Sequence, residues 1–114
     1  MQKTSIVFVT VDKKNYAAKI TNTVLKERLA ACVNTIQNIS SSYWWKGKIE
    51  HAKEHLLIIK TKNTLLIPLI KKIKQVHPYD VPEAISFEIK KGNPDYLKWI
   101  LDEAGRGTKK KGKK

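Results

Sequence analysis

Three places in the sequence hold side chains that can do chemistry. The first is His51-Ala52-Lys53-Glu54-His55, two histidines four apart with a glutamate between them. On a helix, this spacing puts both imidazoles on one face, where they can hold zinc beside a general-base carboxylate. The second is "HPYDVPE", residues 77–83. His77 can ligate a metal or carry a proton. Tyr79 can donate a hydrogen bond, and Asp80 and Glu83 can accept one or ligate. Pro78 and Pro82 restrict the backbone, and rigid loops with convergent polar groups are common binding sites. The third is Cys32, the single cysteine, which allows no internal disulfide. It reads as a reduced, buried thiol rather than a nucleophile, which implies a cytoplasmic protein. The sequence contains no Gly-rich phosphate loop, CxxC pair or GxSxG elbow, so no enzyme activity is expected.

The elements around these residues decide what they can do. "SIVFVTV" (5–11) is short, β-branched and apolar, a buried strand. Ala17, Ile20, Val24 and Leu25 recur at helical spacing and predict a helix from about Asn15 to Ala31, capped by Asp12 or Asn15. Cys32 to Trp45 predicts a long strand and Lys46-Gly47 a hairpin turn. Ile49 to Thr61 returns as a third strand. Leu66, Leu69, Ile70, Ile73 and Val76 form one helical stripe, started near Pro68 and stopped by Pro78. Ile85, Phe87 and Ile89 alternate with Ser86 and Glu88 as a half-buried strand. Asn93 caps a last short helix, with Pro94 in its first position and Gly105 as its stop. The order βαββαβ plus a short C-terminal helix is the ferredoxin-like split βαβ arrangement, an α+β fold with an antiparallel sheet.

This order removes the zinc reading of residues 51–55. On a strand the two histidines lie roughly 13 Å apart. Bonds of about 2 Å to one ion cannot bridge that gap. The order also makes the first and third strands central, and both are apolar at odd and even positions alike. A two-layer fold covers only one sheet face, so the second face calls for self-association. Tyr43, Trp44 and Trp45 at the hairpin tip fit as interface anchors.

The chain of 114 residues is 41% hydrophobic, enough for one domain with one core, placed at 1–105. No apolar run reaches the roughly 20 residues that a membrane span needs. The net charge is +13, and six of those charges sit in "RGTKKKGKK" (106–114), a basic tail with nothing apolar to bury. Lysine supplies all but two of the 23 basic residues, Arg28 and Arg106. Specific nucleic-acid recognition favours arginine's planar fork, so a lysine-rich surface points to solubility and weak attraction to polyanions. The third strand, "HLLIIKTK", also lacks the stacking aromatics of an RNA-recognition sheet.

Five stretches, "LKERLAACVN" (25–34), "YWWKGKIE" (43–50), "IKTK" (59–62), "HPYDVPE" (77–83) and "NPDYLKWI" (93–100), resemble the CutA family of divalent-cation-tolerance proteins in type and order. The resemblance covers nearly all of residues 5–104 and implies a ferredoxin-like fold assembled as a homotrimer. It also implies a non-enzymatic role in divalent cation tolerance, with Cu²⁺ or another divalent cation bound weakly and no cofactor required. Some bacterial relatives use a first-strand cysteine and a histidine pair. This chain has Val7, Phe8 and Val9 on that strand and Val76-His77 for the pair, so only His77 carries over. Asp80 and Glu83 are its candidate partners, and Tyr79 a further loop residue. The assembly also resembles the PII signal-transducer trimers. That sets an alternative, a small anionic ligand held between subunits by lysines and the 77–83 loop.

Overall fold

The computed structural model describes residues 2–105; the expectations for the basic tail at 106–114 lie outside them. Strand β1 (Thr4–Val11) leads to helix α1 (Lys14–Lys26), then to the hairpin of β2 (Cys32–Trp45) and β3 (Lys48–Lys62). A 3₁₀ turn (Asn63–Leu65) precedes α2 (Leu66–Val76), followed by β4 (Ile85–Glu88) and α3 (Pro94–Glu103). The sheet order is β2-β3-β1-β4 and every pairing is antiparallel. The α+β class and the split βαβ order therefore stand as expected, with β1 and β3 central.

The core lies between this sheet and α1 and α2. Val7, Val9 and Val11 of β1 and Leu57 and Ile59 of β3 meet Ala17, Ile20 and Val24 of α1 and Leu69 and Ile73 of α2. All but Ala17 are fully buried, and burying each large side chain contributes about 1.5–3 kcal/mol.

Three local details differ from the sequence reading. Helix α1 ends at Lys26, not Ala31. Arg28 takes a left-handed φ of 57° and the Leu29 N–H donates to the Val24 carbonyl at 2.9 Å, a Schellman ending built on arginine in place of glycine. The Arg28 Nη1 bond to Glu103 Oε1 (3.0 Å) anchors that residue to α3. The helix starts after Lys13 with no side-chain cap, so neither Asp12 nor Asn15 serves. Finally, β2 carries an unexpected bulge. Ile36 pairs with Leu56 and Ile39 with Glu54, so Gln37 and Asn38 together oppose His55, and Asn38 has φ 59°.

Other turn chemistry follows the sequence. Lys46 (φ 49°) and Gly47 (φ 80°) both adopt the left-handed conformation that a two-residue hairpin turn requires. Asn93 caps α3, its Oδ1 accepting from the Asp95 N–H at 3.0 Å.

Candidate functional site

The bulge decides which side chains meet. Because side chains alternate along a strand, one extra residue moves all later positions to the other face. Beyond it, Tyr43 pairs with Glu50 and Trp45 with Lys48, which puts both aromatics on the face that carries Glu54. Pairing of β1 with β3 stops at Val11 and His55. Residues 39–54 therefore continue as a two-stranded ribbon past the rest of the sheet.

The 77–83 loop folds against the base of this ribbon and closes a cleft of about 670 Å³. Tyr43, Trp45 and Ser40 to Ser42 form one wall; Tyr79, Asp80, Val81 and Glu83 form the other, with Thr10 and Glu54 at the base. Three of the chain's ten acidic residues line it, and no lysine or arginine does among the described residues. In a chain of net charge +13 this is a local reversal of sign.

His77 does not point freely into the cleft. It is 8% exposed. Its Nδ1 accepts from the Tyr79 N–H at 3.1 Å, so the ring proton sits on Nε2. That Nε2–H donates to the Thr10 carbonyl at 2.8 Å. Strand β4 pairs with β1 only as far as Phe8, so His77 supplies the donor where β4 gives out. The Tyr79 ring packs edge-on to His77, 4.5 Å between centroids. The Tyr79 hydroxyl donates to Glu54 Oε2 at 2.7 Å. Burial first, then this hydrogen bond and the charge of Glu54, push the Tyr79 hydroxyl well above the ordinary tyrosine range, so it remains a donor at neutral pH. Thr10 Oγ1 donates to Glu83 Oε1 at 3.3 Å. Asp80 is exposed at the rim.

The structure thus brings Tyr79, Asp80 and Glu83 together with Tyr43 and Trp45. Trp44 faces away beside Ile49 and is 72% exposed. His77, the expected ligand, spends both ring nitrogens on the backbone. Among the described residues, no group of three or more His, Cys, Asp or Glu side chains converges as a metal site. His51 and His55 lie on β3, as the strand reading required. His51 pairs with Ser42 (2.9 Å, Nδ1 to Oγ), while His55 is buried with its Nδ1 unpartnered. Cys32 is half-buried at the other end of β2, beside Asn34. Sequence reasoning missed Glu54 and Thr10 as parts of the site. Glu54 appeared only within the His-Glu-His pattern, and its real partner lies 25 residues away.

Residues 5–103 match a family model described as CutA1 divalent ion tolerance protein. The chain belongs to the CutA1 family. The divalent-cation tolerance protein CutA of Pyrococcus horikoshii is 45% identical over 98 residues, spanning 86% of this chain and 95% of that protein. The chloroplastic CutA 1 protein of Oryza sativa is 46% identical over 95 residues, 83% of this chain and 54% of its own. The chain spans about half the length of such plant and mammalian CutA relatives. The crystal structure of Oryza sativa CutA1 superposes with a TM-score of 0.88 at 42% identity, covering 92% of this chain and 96% of that one. CutA1 from Thermus thermophilus gives 0.87 at 36% identity, covering 90% and 99%. Another CutA structure, from Archaeoglobus fulgidus, is described as periplasmic. In this chain no described helix is long and apolar enough to cross a membrane.

Proposed function

We propose that this CutA1 protein is a non-enzymatic, cytoplasmic homotrimer that binds divalent metal ions weakly, Cu²⁺ among them, and serves divalent cation tolerance. The observation that carries the reading is the acidic lining of the cleft, Glu54, Asp80 and Glu83, inside a strongly basic chain. The same lining weighs against an anionic ligand there, because no lysine or arginine faces it among the described residues. Asp80 and Glu83 are the ligating groups in this reading. His77 braces the loop, since ligation through Nδ1 would cost its bond from Tyr79 N. Among the described residues too few donors converge for a closed site, so water or a neighbouring copy completes it.

Self-association is supported by the second sheet face. Ile85 and Phe87 on β4 and Ile36 on β2 are each 48% exposed, and Ile6, Phe8, Leu56 and Ile58 lie between them half-buried. On the ribbon, Tyr43 and Trp45 share the side of Leu56 and Ile58 and are each 44% exposed, while Trp44 and Ile49 lie on the other side; a lone two-stranded ribbon is marginal in water. Tyr43, Trp44 and Trp45 are the proposed anchors.

Calorimetric titration with Cu²⁺ tests the site. Among divalent ions, affinity of oxygen and nitrogen donor sets peaks at Cu²⁺, and a set this sparse should bind at about micromolar or weaker. Asp80→Asn combined with Glu83→Gln should weaken binding about tenfold or more, the loss of two charged ligands. His77→Ala should change affinity far less than it changes stability. Unchanged Cu²⁺ affinity in the double variant would remove the cleft as the metal site.

A further inference from the structure

Helices α1 and α2 between them carry six lysines and no acidic residue. Lys72 pairs with Glu27 at 3.2 Å. The other five, Lys14, Lys19, Lys26, Lys71 and Lys74, form no ion pair among the described residues. This layer lies on the opposite side of the sheet from the face assigned to contact between copies, so such contact leaves it open. On its outer surface Ile67, Ile70, Lys71, Lys74 and Gln75 line a shallow hollow of about 470 Å³. Their spacing, i, i+3, i+4, i+7 and i+8, makes one stripe of α2. Ile67 is 83% exposed, and Ile70 is half-buried beside it. A single exposed isoleucine is ordinary on a protein surface. Here it continues into a second apolar side chain, with two unpaired ammonium groups one turn further on. Such a stripe offers burial to an apolar side chain and attraction to carboxylates flanking it.

We propose that the outer face of α2 docks an acidic amphipathic segment of a partner protein, its apolar side chains on Ile67 and Ile70 and its carboxylates on Lys71 and Lys74. The proposal does not rest on the metal reading. Two other anionic occupants fit less well. A nucleic-acid backbone would meet the lysines but gain nothing from the two isoleucines, and neither helix has an arginine to read phosphate geometry. A bilayer is flat, and copies joined through the open sheet face turn their helical faces away from one another. It would meet them one at a time, whereas separate peptide segments could fill each copy. An amphipathic helix laid along a surface stripe is a common recognition mode, with anchors at i, i+3, i+4 and i+7.

The test is fluorescence anisotropy of a labelled synthetic peptide titrated with the full chain, with EDTA present so that bound metal plays no part. The peptide has about 14 residues, roughly 21 Å as a helix, with leucine at helical spacing and glutamate or alanine elsewhere. Physiological salt screens distant charges. Saturable binding in roughly the micromolar range is expected. Lys71→Glu with Lys74→Glu should weaken it about tenfold or more. Lys46→Glu with Lys48→Glu, the same charge change at the far hairpin tip, should stay within about twofold. Ile67→Ser should weaken it about fivefold, and a peptide with serine for leucine should bind about tenfold more weakly or worse. The charges of residues 106–114 are present in every variant, so differences between variants report on α2. All substituted positions are exposed, so the fold should survive. Single-stranded RNA and phosphatidylserine vesicles are titrated alongside. The proposal is overturned by absence of saturable binding, by equal losses in the two lysine pairs, or by indifference to Ile67 and to the leucines. Tighter binding of RNA or vesicles with the same dependence on Lys71 and Lys74 would overturn it too, giving the face to that occupant. Neither Cu²⁺ binding nor the oligomeric state enters any of these outcomes.

Discussion

Val7, Val9, Leu57 and Ile59 are fully buried beneath α1 and α2, whereas Phe8, Leu56 and Ile58, next to them in the chain, are only half-buried on the opposite side of the sheet. The two faces are made of the same kinds of residue. They differ in cover. The helices of this chain close one face, and on the other the Phe8 and Phe87 rings lie 4.9 Å apart with solvent on their outer side. Tyr96 of α3, stacked on Trp99, reaches only the margin of that face through Lys60. An apolar pattern in the sequence therefore does not by itself say what covers a face: here the helices of the chain cover one side of the sheet and stop short of the other.

The largest effect should come from the covered face. Leu57→Ala removes a fully buried side chain from the core and should cost about 2–5 kcal/mol in denaturant unfolding. A loss below 1 kcal/mol would mean that this face is less tightly packed than its burial implies.

Phe87→Asp attacks the open face. It should leave the secondary structure of one chain intact by circular dichroism and shift the assembly towards monomer, because a carboxylate would be buried between copies. Ile67→Asp makes the matched control, since Ile67 is 83% exposed on α2, on the helical side. An assembly equally sensitive to both would show that the open sheet face is not the contact.

His77→Ala should cost about 1–3 kcal/mol, because it leaves the Thr10 carbonyl and the Tyr79 N–H without their partner. A neutral result would mean that water replaces both bonds, and His77 would return as a candidate ligand.

The smallest effect concerns pH. The Tyr79 hydroxyl is raised in the folded state, by burial first and then by Glu54. The unfolded chain therefore loses this proton at a lower pH than the folded one. The stability contribution is complete below the ordinary tyrosine value of about 10 and declines as pH rises above it. Tyr79→Phe should flatten that alkaline decline, measured as the unfolding midpoint against pH. An unchanged slope would show that other groups dominate.

Much of the fold was legible in the sequence because local signals agreed with it. The β-branched run at 5–11, the proline near the start of α2, the Lys46-Gly47 turn and the Asn93 cap each have a direct physical meaning. The misses have physical reasons too. Arg28 ends α1 in a conformation usually given to glycine, and its support from Glu103 and the Gly105 N–H comes from residues 75 and 77 positions away. The bulge at Gln37 and Asn38 contains no glycine or proline. Only the tolerance of asparagine for positive φ hinted at it. For the candidate site, the sequence picked out Tyr79, Asp80 and Glu83 as a loop cluster. It could not place Tyr43, Trp45 and Glu54 opposite them, because that depends on the face switch at the bulge. It also could not show that a backbone carbonyl claims His77.

The open face carries the central claim, that its apolar surface is closed by other copies of this chain. Light scattering of the purified protein at micromolar concentration tests it directly. A single species of three times the 13.1 kDa chain mass is the predicted result. A monodisperse monomer would contradict it, leaving Phe87, Ile85 and Ile36 exposed in the working state and removing the neighbouring copy as a source of metal ligands.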